Sequence, residues 1–331
     1  MRASMGARIF PSVALGAALA LTGCSRPLAR ARTERFEPTT PAERAAAERL
    51  AEPRCDTRLG GLAPGVGQIC NGQEREGATL AAVGASELAT GITVATQKGL
   101  DHPGAAIPLL AYSDLWVYSS VALRFDRDRA AERMYVPADS TADLAVAPFN
   151  IQVLKRPEVF LGIAGMLAAG IGVSLAVDES VDRNAAGGDP NLFGRTVDRR
   201  IGYPAGFGVG AALFTQVAMA EESIFRGWAQ SGLARAHGET WGWVEATALF
   251  GAAHVFNVVS LPADQQLRYL TVGVPFITAL GGYMGWVYRR SRYSLATSVA
   301  LHFWYDFAIS ATFFVLDPQH SPLSAGLRWS F

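Results

Sequence analysis

The sequence predicts an all-α, polytopic transmembrane helical bundle, and three observations predict it. Half of the 331 residues are hydrophobic and only 18% are charged, where ordinary soluble domains run near a quarter charged. The mean hydropathy is positive, at +0.18. The charges collect between apolar stretches at about 78–97, 104–123, 158–178, 204–220, 242–261, 269–288 and 294–316. Most of these approach the roughly 20 residues that a helix needs to cross a bilayer, which gives about six or seven spans.

The first element is a targeting segment. Arg2 and Arg8 precede an apolar run from Ile9 to Leu21 that closes in Leu21-Thr22-Gly23-Cys24. A basic start, a short apolar core and small residues before a cleavage point predict a signal peptide over 1–23. The Leu-Thr-Gly-Cys string has the form of a bacterial lipobox, with Cys24 as the lipidated residue; the alternative is an uncleaved anchor with an incidental cysteine. Residues 24–77, rich in Arg, Glu, Ala, Pro and Gly, read as an exported tether. Within it Cys55 and Cys70 are a pair that an oxidising compartment would join and a reducing one would leave as thiols.

Residues 78–200 form the N-terminal membrane helices and their loops. The first two stretches are the weakest, since they carry Glu87 and Asp114. Residues 201–316 form the core of the bundle, and 317–331 a C-terminal tail. Gly and Ala recur in the stretches, as expected where transmembrane helices pack closely. Trp241, Trp243, Tyr283, Trp286 and Tyr288 gather near their ends, where interfacial aromatic belts form. Arg289, Arg290 and Arg292, with the arginines of 124–156, mark cytoplasmic loops. An exported Cys24 agrees with that orientation only if one early stretch, the Ala/Thr-rich 78–97, falls short of spanning. The net charge of zero, from 29 basic and 29 acidic residues, supplies no basic face for nucleic acid.

Three groups of ionisable residues stand inside the apolar stretches of the C-terminal third. Glu221-Glu222-Ser223-Ile224-Phe225-Arg226 closes one stretch. On a helix Glu222 and Arg226 lie four apart and can pair, whereas Glu221 projects elsewhere and is left available as a base. Phe250-Gly251-Ala252-Ala253-His254 is followed by Asn257, three residues on and sharing a face with His254. His302 and Asp306 share a face through four-residue spacing. Singly, each has a plain explanation: a helix-packing histidine, a helix-end ion pair, a carboxylate that orients an imidazole. Together they place costly groups on three neighbouring helices, and such groups mark a site facing the bundle interior.

EExxxR, FxxxH and HxxxN/D, in that order, are the motifs of the CPBP (CAAX protease and bacteriocin-processing, Abi) intramembrane proteases, related to the Ras-converting CAAX endopeptidases. The chain resembles that family over about residues 200–310. The resemblance implies a membrane peptidase in which Glu221 activates a water, His254 helps to hold it, and His302 stabilises the oxyanion with Asp306. An ionised Asp accepts but does not donate, so Asp306 is expected to orient His302; Glu222 and Arg226 would keep Glu221 aimed, with Asn257 in support. No cofactor is expected on this reading. The alternative is zinc held by Glu221, His254 and His302, although the commoner HExxH arrangement is missing.

A membrane-bound or lipidated peptide is the implied substrate, and a multi-pass bacterial inner-membrane protein with an exported, lipid-anchored N-terminus the implied setting. Two other classes stand beside it. One is a non-catalytic binding or immunity protein; the other is a transporter with proton-relay residues, for which paired broken helices in repeated halves are not evident. Serine chemistry has only Gly84-Ala85-Ser86 to offer.

Overall fold

The computed structural model describes residues 61–130, 135, 137, 139–177 and 186–320, and the chain is mostly helical. The expected signal peptide, Cys24, Cys55 and most of the tether and tail lie outside the described residues. Gly65 enters α1 (Val66–Cys70) in the left-handed region, at φ 82°. A Cβ there would overlap the Gly77 carbonyl, so glycine is required twice over, by conformation and by space. Cys70, which ends α1, is disulfide-bonded. Ser119 ties α1 down: its Oγ accepts from the Gly65 N–H at 3.0 Å, and its carbonyl accepts from the Gln68 amide at 3.0 Å.

Two long helices follow, α2 (Glu74–Lys98) and α3 (Pro103–Ala130), packed as an antiparallel hairpin. Short helices α4 (Thr141–Val146) and α5 (Ile151–Leu154) then lead to α6 (Pro157–Val177). A two-stranded antiparallel ribbon, β1 (Asn191–Leu192) and β2 (Arg195–Thr196), precedes α7 (Arg199–Glu222). Helix α7 widens into a π-helical segment, Ser223–Gln230, and runs on as α8 (Ser231–His237). After Gly238 the chain reverses into α9 (Glu239–Val255). Helix α10 (Ala263–Arg268) continues through a second π segment, Tyr269–Gly273, into α11 (Val274–Arg290), and α12 (Leu295–Leu316) completes the bundle.

Four helices are long and apolar enough to cross a membrane: Glu74–Lys98, Pro103–Phe125, Ala263–Arg290 and Leu295–Leu316. Four of the six or seven stretches expected to span thus meet that requirement among the described residues. A shorter apolar helix covers Pro157–Val173. The stretch at 242–261 is not one helix: α9 has 17 residues and gives way to a 3-10 turn over Phe256–Ser260. Pro262 disfavours the α conformation in the residue before it, and Leu261 is extended (ψ 147°). Helix α2, which contains the stretch 78–97 expected to fall short of spanning, has 25 residues and is long and apolar enough to cross.

Helix α12 lies at the centre. Its Leu295, Val299, Ala300, Leu301, Phe303 and Phe314 are fully enclosed, and the Trp304 indole donates to the Pro148 carbonyl at 2.7 Å. Its N-terminus is held from outside its own sequence. Asp139 accepts from the Leu295 N–H at 2.7 Å and from the Ser294 hydroxyl at 3.1 Å, satisfying a helix-start donor as an N-cap would. Nearby, Thr141 bonds both the Tyr118 hydroxyl (2.6 Å) and Glu76. These bonds gather the start of α2, the Tyr118 end of α3 and the start of α12 at one end of the bundle. Arg289, Arg290 and Arg292 lie at that end, and so does Cys70. The arginines speak for a cytoplasmic face and the disulfide for an oxidising one, so the two signals assign opposite sides to the same end.

Burial pushes the Asp139 carboxyl up to about 7, against the pull of its bonds from Leu295 and Ser294. An acid raised on folding binds more protons folded than unfolded, so its contribution is complete below about pH 4 and is lost as pH rises through about 7. Thermal unfolding in detergent between pH 4.5 and 8 should therefore show falling stability, and Asp139→Asn should flatten that slope. An unchanged slope in Asp139→Asn would assign it to other groups.

Candidate active site

Glu221 and Glu222 stand in the last turn of α7, immediately before the helix widens. Single π segments are rare and recur at functional sites, because the extra residue per turn re-aims side chains without ending the helix. Glu222 faces inward and is fully buried. Its Oε1 accepts from Arg226 Nη1 at 2.8 Å and from His302 Nδ1 at 2.8 Å. Arg226, 2% exposed, also donates from Nη2 to the Gly281 carbonyl on α11 at 2.9 Å. Its guanidinium lies 4.2 Å from the centroid of the Phe250 ring, a cation–π contact at buried depth. A Cβ on Gly281 would collide with that ring, so glycine lets α11 approach closely enough for the carbonyl to be reached.

His254 lies in the last turn of α9. Its Nδ1 donates to the Phe250 carbonyl at 2.8 Å; a carbonyl only accepts, so in the neutral ring Nε2 carries the lone pair. Its carbonyl, among those left over at a helix end, accepts from the Tyr269 hydroxyl at 2.8 Å. Asn257 does not extend the His254 face of α9, because the helix has already tightened. Its side chain bonds the Tyr269 hydroxyl instead. Tyr269 is the residue that sequence reading did not find, and its position at the start of the second π segment was not legible there.

The two imidazoles converge on Glu221. Its Oε2 lies 3.8 Å from His254 Nε2 and 3.9 Å from His302 Nε2. Both separations exceed a direct hydrogen bond and suit one bridging water. The Glu221 side chain is 30% exposed, against 0% for Glu222, so the outer carboxylate is accessible and the inner one is structural. Asp306 Oδ2 stands 3.3 Å from His302 Nε2. His302 thus faces carboxylates through both nitrogens. A neutral ring donates only once, and the Nδ1 side faces Glu222 at hydrogen-bond distance.

Glu221, His254, His302 and Asp306 are brought together as expected, with Glu222 and Arg226 beneath them. Asp306, foreseen as orienting His302, stands 3.3 Å from one ring nitrogen, and Glu222 holds the opposite one at the shorter 2.8 Å. Among the described residues no three His, Cys, Asp or Glu side chains are arranged to hold a metal ion. His302, foreseen with Glu221 and His254 as an alternative zinc set, has a carboxylate beside each ring nitrogen.

Removing Arg226 would leave Glu222 buried without its strongest partner. Arg226→Ala is expected to cost about 3–5 kcal/mol in denaturant unfolding measured in micelles. The double replacement Arg226→Met with Glu222→Leu should recover much of that loss. A single-variant cost under about 1 kcal/mol would show that the pair is not what joins these helices.

No curated protein and no solved structure matches the chain significantly. Residues 204–308 match the family described as Rce1-like, type II CAAX prenyl endopeptidase Rce1-like. The matched segment contains every residue of the converging cluster, and helices α1 to α6 lie outside it. Residues 204–308 are thus similar to the Rce1-like CAAX endopeptidases, in line with the CPBP/CAAX protease family.

Proposed function

We propose that the chain is an intramembrane endopeptidase that cleaves membrane-associated or lipidated peptides with a water activated by Glu221. The observation that carries this reading is the single carboxylate oxygen, Glu221 Oε2, set 3.8 and 3.9 Å from the Nε2 atoms of His254 and His302. A water in that space donates one proton to Glu221 and the other to the lone pair of His254 Nε2, which leaves its oxygen directed outward. Glu221 takes the proton as the oxygen attacks the scissile carbonyl. His302, protonated between Glu222 and Asp306, donates from Nε2 to the developing oxyanion. Collapse breaks the C–N bond, and the proton on Glu221 passes to the leaving amine. Glu222, Arg226 and Phe250 keep the two helices in register through this cycle, and Tyr269 with Asn257 fixes the end of α9.

Cleavage of a lipidated peptide library by the purified protein tests the reading. Glu221→Ala should lower turnover by about 10²- to 10⁴-fold, with no effect of a strong chelator on the wild type. Activity lost to chelator and restored by zinc would replace the glutamate–water reading with the zinc-dependent one. Equal behaviour of wild type and Glu221→Ala, in an assay that an active CAAX protease passes, would favour the non-catalytic binding or immunity protein.

We further place the protein in a bacterial inner membrane with the disulfide end exported. A disulfide requires an oxidising compartment, whereas the arginine rule is a bias that other topogenic signals can override. After mild reduction, a membrane-impermeant maleimide should label Cys70 in intact spheroplasts. Labelling only after permeabilisation would put that end in the cytoplasm.

A further inference from the structure

Two carboxylates beside the site have no part in the reaction just described, and both come from helices outside the Rce1-like segment. Glu87 on α2 is 6% exposed. Its Oε1 accepts from the Gln216 amide on α7 at 2.6 Å, and its Oε2 is buried without a partner. Gln216 Oε1 is likewise buried and unpartnered, five residues before Glu221 on the same helix. Asp114 on α3 lies within electrostatic reach of Glu87, Glu221 and His302. Its Oδ2 and the Oε2 of Glu221 are buried and without hydrogen bonds.

With the acids ionised these four atoms are all acceptors; the water proposed above reaches only Glu221 Oε2, and among the described residues none of the other three has a donor. Each buried acceptor left unpaired costs about 1–3 kcal/mol, and such atoms in a native structure call for an ion, a water or a ligand. At membrane depth the two acids either take up protons or are joined by a cation. A primary ammonium is such a cation, with three donors, no acceptor and a positive charge. Asp114 and Glu221 are each partly exposed while Glu87 is enclosed.

We infer that Glu87, Gln216 and Asp114 form a subsite beside Glu221 for a primary ammonium group, the side chain of a lysine near the scissile bond of the peptide. The inference rests on the endopeptidase reading and narrows its substrate to lysine-bearing peptides. An aminophospholipid headgroup offers the same chemistry and is distinguished by the test.

The full chain is placed in nanodiscs of phosphatidylcholine, whose headgroup has no N–H. The probes are two fluorescent N-palmitoyl octapeptides that differ only in lysine or norleucine at one position. Binding is measured in a Glu221→Gln background, where turnover does not interfere, and cleavage is measured separately in the wild type. The lysine peptide should bind on the order of tenfold more tightly. Asp114→Asn and Glu87→Gln should bring the ratio towards one, and Asp114→Glu, which keeps the charge, should preserve it. Should Asp114→Asn fail to fold, the near-isosteric Glu87→Gln carries the comparison. A ratio of one in the parent, or a ratio that both variants leave intact, overturns the subsite. Loss of the preference on adding phosphatidylethanolamine, with no preference regained by dilution of that lipid, would assign the subsite to the headgroup and overturn the lysine assignment. A lysine preference in a protein that cleaves neither peptide keeps the subsite and sinks the protease reading; cleavage of both without preference does the reverse.

Discussion

The buried Arg226–Glu222 pair is the contact on which the rest of the site depends. Four elements meet at it: the π segment after α7, the Gly281 carbonyl of α11, the Phe250 ring of α9 and His302 of α12. Neither charge can be left alone at that depth, because an uncompensated buried ion costs several kcal/mol. The pair therefore fixes the rotation of α7, and the rotation of α7 points Glu221 away from the pair and towards the two imidazoles. A carboxylate that must remain available is thus positioned by its neighbour, which must not be.

The widening of the helix after Glu222 serves the same end. Helix α7 continues for one more segment as a π helix before α8 begins, and the reversal at Gly238 brings α9 back against it. Gly242 meets the Ala234 backbone so closely that a Cβ would have no room. Close approach of backbones is the usual basis of helix association in lipid, where burying apolar surface gives no advantage. Here it also delivers His254 to Glu221, since α9 ends just as it reaches the level of that carboxylate.

Helices α2 and α3 add a different constraint. They just meet the apolarity of a membrane span, each carries one acid near its middle, and both acids lie towards the site. Charges at membrane depth are tolerated where they turn inward, and the Glu87–Gln216 bond shows the direction taken. The catalytic-type residues and the acids of the N-terminal hairpin thereby share one polar interior, although the family match covers only the former.

Much of the site was legible in the sequence because its signals are local. EExxxR and HxxxD place side chains one helical turn apart, and any helix built on those residues pairs Glu222 with Arg226 and His302 with Asp306. Hydropathy likewise determined that the chain is a helical membrane protein. It did not show where each helix ends, since composition counts apolar residues but not where a helix must stop, as α9 does ahead of Pro262. Only the tertiary structure decided that Glu222 bonds His302 across 80 residues of sequence, that Tyr269 caps the His254 carbonyl, and that Cys70 shares an end with Arg289. Spacing along one helix fixes a face, but which faces meet depends on close packing between helices, and that is a property of the assembled bundle.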